Sequence, residues 1–260
     1  IRIIPPILSS ISLCHDIGNP PFGHFGEDII CNFFQEYFQN HKNELEIDDY
    51  QKLDFEKFNG NAQGFRVLTK TQVLNDQFGL NLTYATLSSF LKYPNLSNDL
   101  DGSNTYKGKL GVYFSEKEFL EKIRNFTELS KVRHPLAFLM EAADTICYHL
   151  MDLEDGFNRK FYDFDYVADF LIKNGNKKRN KEVTKIVRLR TFLIQKLVNK
   201  TSDVFINNLS KIEDGNFYNE LLFDDDLKSL SHVLKAFSIK EIFNKREVQS
   251  LEITGESVLK

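Results

Sequence analysis

The feature that most constrains this chain is the scarcity of strand-type alternation. Apolar residues recur at helical spacing along almost its whole length, and turn signals lie too far apart for a sandwich or a barrel. The class expected is all-α. Residues 7–14 read as an apolar helix ending at His15 and Asp16. GNPPFGHFG at 18–26 then places three Gly and two Pro in one loop, which has little backbone freedom to lose on folding. A helix over 26–37 follows, with Ile29, Ile30, Phe33, Phe34 and Tyr37 on one face.

Residues 40–58 are polar and acidic and read as a surface excursion. Further helices start at GNAQGFRVL (60–68) and at LTYATLSSFLKYP (82–94), the second stopped by Pro94. Residues 95–109 are a loop by composition, the clearest helix of the chain covers 135–159, and 173–190 is strongly basic before helical spacing resumes. There is no internal repeat. The organisation expected is a core over 1–165, with a helical extension over 166–260 packed on it.

Net charge excludes one class of partner. At -4 the chain has no general attraction for polyanions, so any phosphate must be held by a local group of cations. Cys14, Cys31 and Cys147 are odd in number, far apart and in apolar surroundings, which predicts buried free thiols in a reducing, cytoplasmic setting. No apolar run approaches the roughly 20 residues that span a bilayer, so no membrane partner is expected.

Four constellations could carry chemistry. His15 and Asp16 pair an imidazole with a carboxylate, suitable donors for a divalent cation, although such a dipeptide more often caps a helix. On the 135–159 helix, Glu141, Asp144, Tyr148, Asp152 and Asp155 fall within an arc of about 80°, and Ala143, Ile146, Cys147, Leu150, Leu153 and Phe157 should face the core. That stripe is either a solvated face or a pocket wall offering carboxylates to a cation and a ring to a sugar. His24 and Glu27, three apart at a helix start, can hydrogen-bond, with Glu27 raising the basicity of the imidazole. Arg66, Lys92, Lys107 and Lys109 are scattered cations that matter if something phosphorylated binds nearby.

Taken together the segments have a family likeness. HDIGNPPFGHFGE at 15–27, GNAQGFR at 60–66, GLNLTYATLSSFLKYP at 79–94 and HPLAFLMEAADTICYHLMDLEDG at 134–156 resemble, in order, the deoxyguanosine triphosphate triphosphohydrolases of the HD superfamily. KEIFNKREVQSLEITGESVL at 240–259 is similar to the later helices of that family, more loosely. The resemblance implies an HD-domain helical bundle with additional C-terminal helices, and hydrolysis of dGTP, or of other dNTPs, to deoxynucleoside and tripolyphosphate with Mn²⁺ or Mg²⁺. It assigns His15, Asp16 and Asp144 to the metal and His24 with Glu27 to catalysis. Tyr148 would pack on the deoxyribose, Asp152 would accept its 3′-hydroxyl, and Lys92, Tyr93 and Lys109, with Arg66 nearby, would hold the triphosphate.

Asn59 stands where the family more often has Glu. A first metal-binding His of the family belongs upstream of the dyad, whereas this chain starts 14 residues before His15. A fragment of a longer enzyme is therefore expected, with little activity by itself. A homo-oligomer is expected, and the basic stretch 173–190 is read as a solvated face, with an effector nucleotide or single-stranded DNA as the alternative ligand. Another HD-domain nucleotide phosphohydrolase and a non-catalytic nucleotide-binding regulator stay open as alternatives.

Overall fold

The structure, a computed structural model, describes residues 2–41, 46–72, 78–100, 102, 106–173, 185–223 and 225–259, with the backbone alone for 225–229. All regular elements among the described residues are helical. The chain divides into two compact units, Ile1–Met140 with Glu252–Lys260 and Glu141–Leu251, so the division falls within one long helix.

Helix α1, Ile4–Cys14, starts with Pro5 and Pro6 in its first turn, where their missing N–H groups would have had no intrahelical acceptor. Helix α2 covers Gly23–Asn40. Helix α3, Asp49–Glu56, lies in the stretch expected to be a surface excursion. A capping box forms it: Asp48 accepts the N–H of Gln51, while the Gln51 side chain accepts the N–H of Asp48. Asp54 on α3 is buried, and both of its oxygens accept the Phe114 N–H, at 2.9 and 2.8 Å. A long-range backbone partner thus draws part of an acidic segment inward.

Helix α4, Gly60–Arg66, runs into a π-helical turn at Val67–Thr71. Helix α5, Tyr84–Phe90, is capped by Thr83. Helix α6, Lys117–Thr127, ends at Glu128 in the left-handed conformation, and α7 covers Pro135–Asn158. The first core joins Ile11 of α1, Phe65 of α4, Leu87 and Phe90 of α5, Leu120 and Ile123 of α6, and Leu136 and Met140 of α7. Helix α2 packs on α3, with the rings of Phe34 and Phe55 4.7 Å apart.

The second unit has its own core. Helices α8 (Phe164–Lys173), α9 (Ile186–Asn207), α10 (Leu209–Glu213), α11 (Asp225–Ser238) and α12 (Arg246–Leu259) follow, α12 continuing into the first unit. Leu189, Leu193 and Leu197 present one face of α9 at four-residue spacing. They meet Ile146, Leu150 and Leu153 of α7, Val167 and Leu171 of α8, and Leu234 and Phe237 of α11. No described helix is long and apolar enough to cross a membrane.

The inward face of α7 differs from expectation at three places. Ile146, Leu150 and Leu153 are buried as the periodicity requires, but Ala143 and Cys147 are exposed and Glu141 is buried. A 100° step places Ala143 and Cys147 at the margin of the apolar arc, where the packing of neighbours decides the outcome. The three cysteines are unpaired, but Cys14 and Cys31 are half-buried and Cys147 is exposed, which corrects the expectation of buried thiols.

Candidate active site

The loop from His15 to Gly26 carries the first candidate groups. His15 follows the last turn of α1, and its Nδ1–H donates to the Ser12 carbonyl at 2.7 Å. The acceptor fixes the tautomer, so Nε2 is the acceptor end of the neutral ring, and it lies 3.2 Å from Asp16 Oδ2. Two acceptors at that separation repel unless a proton or a cation is shared between them. Asp16 Oδ1 is oriented by the Asn19 amide, 2.9 Å away. An imidazole nitrogen and a carboxylate oxygen, each oriented by a second hydrogen bond, are a donor set that fits a divalent cation such as Mn²⁺ or Mg²⁺.

Phe22 adopts a left-handed conformation, φ 65°, immediately before α2, a costly choice for a bulky residue that the surrounding structure must impose. In the first turn of α2, His24 Nδ1–H donates to Glu27 Oε2 at 3.0 Å. The other oxygen of Glu27 accepts the N–H of Gly60, 33 residues away, at 2.6 Å. Glu27 is buried and therefore joins the exposed His24 to the start of α4. The hydrogen bond to Glu27 raises the His24 pKa most; partial desolvation opposes it, the Glu27 charge adds to it, and Lys109 and Lys92 lower it.

Helix α4 sits against this loop because Gly18 and Gly60 lack a Cβ. A Cβ on Gly18 would lie 2.0 Å from the Gly64 nitrogen and 2.2 Å from the Gly60 carbonyl oxygen. A Cβ on Gly60 would lie 2.4 Å from Asn19 Oδ1 and 2.9 Å from Glu27 Oε1. Gly60 is thus wedged between Asn19, which orients Asp16, and Glu27, which orients His24. Asn59 caps α4 by accepting the Asn61 N–H at 3.0 Å, so the residue where the family more often has Glu has a local task.

Lys92 and Lys109 both lie over the ring of the buried Tyr93, 5.7 and 5.5 Å from its centroid. The backbone segments that carry them are joined at Asn95. Its carbonyl accepts the N–H groups of Gly111 and Val112, each at 3.1 Å, and its amide donates to the carbonyls of Tyr106 and Lys109. Arg66 has a different setting. Its guanidinium bonds the fully buried side chain of Glu116 through Nε and Nη2, at 3.0 and 2.8 Å, and lies 5.0 Å from the Tyr113 ring centroid. Lys107 is exposed.

In the second unit, Asp144, Tyr148 and Asp152 follow one another by four residues on α7. Tyr148 is half exposed, 6.2 Å from Phe243 between ring centroids, and its phenol is pushed up to about 12 by burial and by the charges of Asp152 and Asp144. Burial, and then the charge of Asp155, raises Asp152 to about 6. Its Oδ2 is buried without a hydrogen bond. Three residues earlier, His149 is buried with Nε2 3.2 Å from Ser231 Oγ, and burial followed by the Lys235 charge lowers it to about 4.

These two groups have opposite linkage. The folded state resists protonation of His149, so its contribution to stability is complete above pH 6.5 and is lost as pH falls toward 4. The folded state favours protonation of Asp152, so stability is gained as pH falls from 6 toward 3.8. Melting curves of His149→Gln should therefore gain on wild type between pH 6.5 and 4, by about 3 kcal/mol. Asp152→Asn should lose ground over the same interval. A constant offset for either variant would contradict the assigned titrations.

Among the described residues, no three His, Cys, Asp or Glu side chains are gathered as a metal-holding group. His15 and Asp16 belong to the first unit and Asp144 to the second. The basic stretch lies mostly outside the described residues, including Lys177, Lys178 and Arg179.

No protein-family model matches the chain. Individual proteins do. A Listeria monocytogenes protein named deoxyguanosinetriphosphate triphosphohydrolase-like is 32% identical over 280 residues, covering 98% of this chain and 60% of its own length. A Synechocystis protein of the same name is 36% identical over 275 residues, 97% of this chain and 62% of its own length. A Serratia proteamaculans protein named deoxyguanosinetriphosphate triphosphohydrolase is 30% identical over 305 residues, with 97% and 59% covered. The chain is a homologue of the deoxyguanosinetriphosphate triphosphohydrolase-like proteins. It spans about 60% of the length of these curated relatives.

Several positions take a part in the site that the motifs containing them do not reveal. Gly18 and Gly60 read as loop and helix-start residues, although what they provide is close approach of the loop to α4. Asn95 was read as loop, yet it holds the Lys109 segment in place. The G-x-x-x-G spacing of 60–64, which puts both glycines on one face of a helix, was the available signal.

Proposed function

We propose that the chain is part of a dNTP triphosphohydrolase that acts on dGTP. The observation that carries the reading is the His24–Glu27–Gly60 arrangement: an exposed imidazole whose other nitrogen is held by a buried carboxylate, itself anchored to the backbone of α4. Water attacks the α-phosphorus and its proton is lost to solvent, the bond to the 5′-oxygen breaks, and that oxygen takes a proton, releasing deoxyguanosine and tripolyphosphate. His24 gives the proton. Its raised pKa increases the imidazolium fraction near neutrality, and with Nδ1 held by Glu27 the Nε2–H is the donor.

Lys92 and Lys109 offset charge on the triphosphate, with Tyr93 as the platform beneath both ammonium groups. The Tyr148 ring packs on the deoxyribose and disfavours a 2′-hydroxyl, and Asp152, ionised above pH 6, accepts from the 3′-hydroxyl. His15 and Asp16 are the proposed donors to Mn²⁺ or Mg²⁺, with Asp144 the third on the strength of the family resemblance. Such a cation would polarise an α-phosphate oxygen.

The test is an assay of the full-length protein against each dNTP with Mn²⁺ or Mg²⁺, following deoxynucleoside and tripolyphosphate. An inactive protein that still binds dNTP would replace this reading with that of a nucleotide-binding regulator. Glu27→Gln provides a sharper check. It removes the Glu27 charge and weakens the charge-assisted hydrogen bond, the two effects that raise the His24 pKa, so the alkaline fall in kcat/KM should move to lower pH. An unmoved alkaline limb would remove His24 from the role of acid.

A further inference from the structure

A pocket of about 390 Å³ lies within the first unit, enclosed by α2, α3, α4 and the turn at 113–115. Small-molecule sites are commonly about 300–1,000 Å³, apolar, with a few polar groups that set orientation. This one has that composition. Phe34, Phe55 and Phe58 supply flat apolar walls, and Tyr113 and Gln63 also line it. Among the described residues the Gln63 amide and the Tyr113 hydroxyl have no hydrogen-bond partner, although Tyr113 is 5% exposed.

The charges beside the pocket are already matched. Arg66 and Lys70 both bond Glu116, and Asp54 takes the Phe114 N–H. Burial raises Asp54 despite that bond, and burial raises the Tyr113 phenol far above its ordinary range, so neither group favours an added negative charge. A polyphosphate therefore finds no unmatched cation here. Ring walls favour a flat π-system. A carboxamide presents a donor and an acceptor side by side, the complement of the amide or amidine edge of a nucleobase.

We propose that this pocket is a second ligand site, for an uncharged nucleobase or nucleoside, stacked among Phe34, Phe55 and Phe58 and paired by its edge to Gln63 and Tyr113. Its lining includes none of His15, Asp16, His24, Lys92, Tyr93 or Lys109, and Arg66, which does line it, is bonded to Glu116, so the proposal stands whether or not the protein hydrolyses any dNTP.

The experiment is titration calorimetry of the full-length protein with the four deoxynucleosides and their free bases, together with hydrogen exchange with and without each. Saturable binding is expected, with protection concentrated at 30–34, 51–66 and 113–115. Gln63→Leu and Tyr113→Phe should each weaken it about tenfold, as the loss of one enclosed hydrogen bond implies. Tyr148→Ala should leave it intact, which separates this pocket from the sugar-binding face proposed on α7. Gln63→Glu, close in shape to the native residue, guards against misfolding of the leucine variant and should weaken binding by removing the paired donor. The proposal is overturned if no nucleoside or base binds at millimolar concentration. It is equally overturned if binding is indifferent to Gln63 and Tyr113, or is protected elsewhere in the chain.

Discussion

Replacing His24 with alanine in the full-length protein is expected to lower kcat/KM for dGTP by roughly 10²–10⁴-fold, the usual contribution of a positioned acid or base. The loss should appear in chemistry rather than in folding. The His24 side chain is 87% exposed, so its removal leaves no cavity and the melting temperature should stay close to wild type. Glu27 remains bonded to Gly60 in the variant, which keeps the start of α4 in place. Binding of dGTP should change little, because Lys92 and Lys109 are held by Tyr93 and Asn95 and not by the imidazole. Steady-state release of tripolyphosphate measures the effect. A variant within threefold of wild type would show that the proton comes from another group.

Gly18→Ala is expected to have the second large effect, by another route. One added methyl would stand 2.0 Å from the Gly64 nitrogen and 2.2 Å from the Gly60 carbonyl oxygen. Both neighbours are backbone, so neither can rotate away, and the loop must separate from α4. Overpacking of this kind costs about 1–3 kcal/mol and occasionally more. The separation would pull Asn19 and Glu27 away from Gly60, loosening the residues that orient Asp16 and His24 together. Misplacement by about 1 Å can cost on the order of 100-fold in rate. The expectation is therefore a lower melting temperature and a loss of turnover larger than the loss of folded protein at the assay temperature. If Gly18→Ala melts and turns over like wild type, the glycine contact between loop and α4 has no functional weight.

Much of the fold was legible because its determinants are local. The helical period needs no knowledge of partners, and α2, α4, α5 and α7 lie close to where apolar spacing and turn residues put them. The capping box at Asp48 and Gln51 is equally present in the sequence, although the acidic composition around it reads as a surface excursion. The pairs within the candidate site were legible for the same local reason. His15 adjoins Asp16, and His24 lies three residues before Glu27, so each pair can meet without help from the rest of the chain.

What lies beyond one helical turn had to come from the tertiary structure. The second partner of Glu27 is a backbone N–H 33 residues away, and that of Arg66 is a carboxylate 50 residues away. Both separations are far beyond the one-turn reach of a helix. Exposure of Cys147 and Ala143 depends on neighbours at the edge of the apolar arc, and Glu141 is buried although it lies within the polar stripe, so something other than the apolar face of α7 covers it. By itself the sequence determined the helical class, the adjacent and one-turn pairs, and the family likeness. The tertiary structure decided which backbone anchors Glu27, what fills the space beside Gly18, and where Arg66 and Lys109 point. Spacing encodes the faces of a helix, whereas the surface each face meets is set by packing across the whole unit.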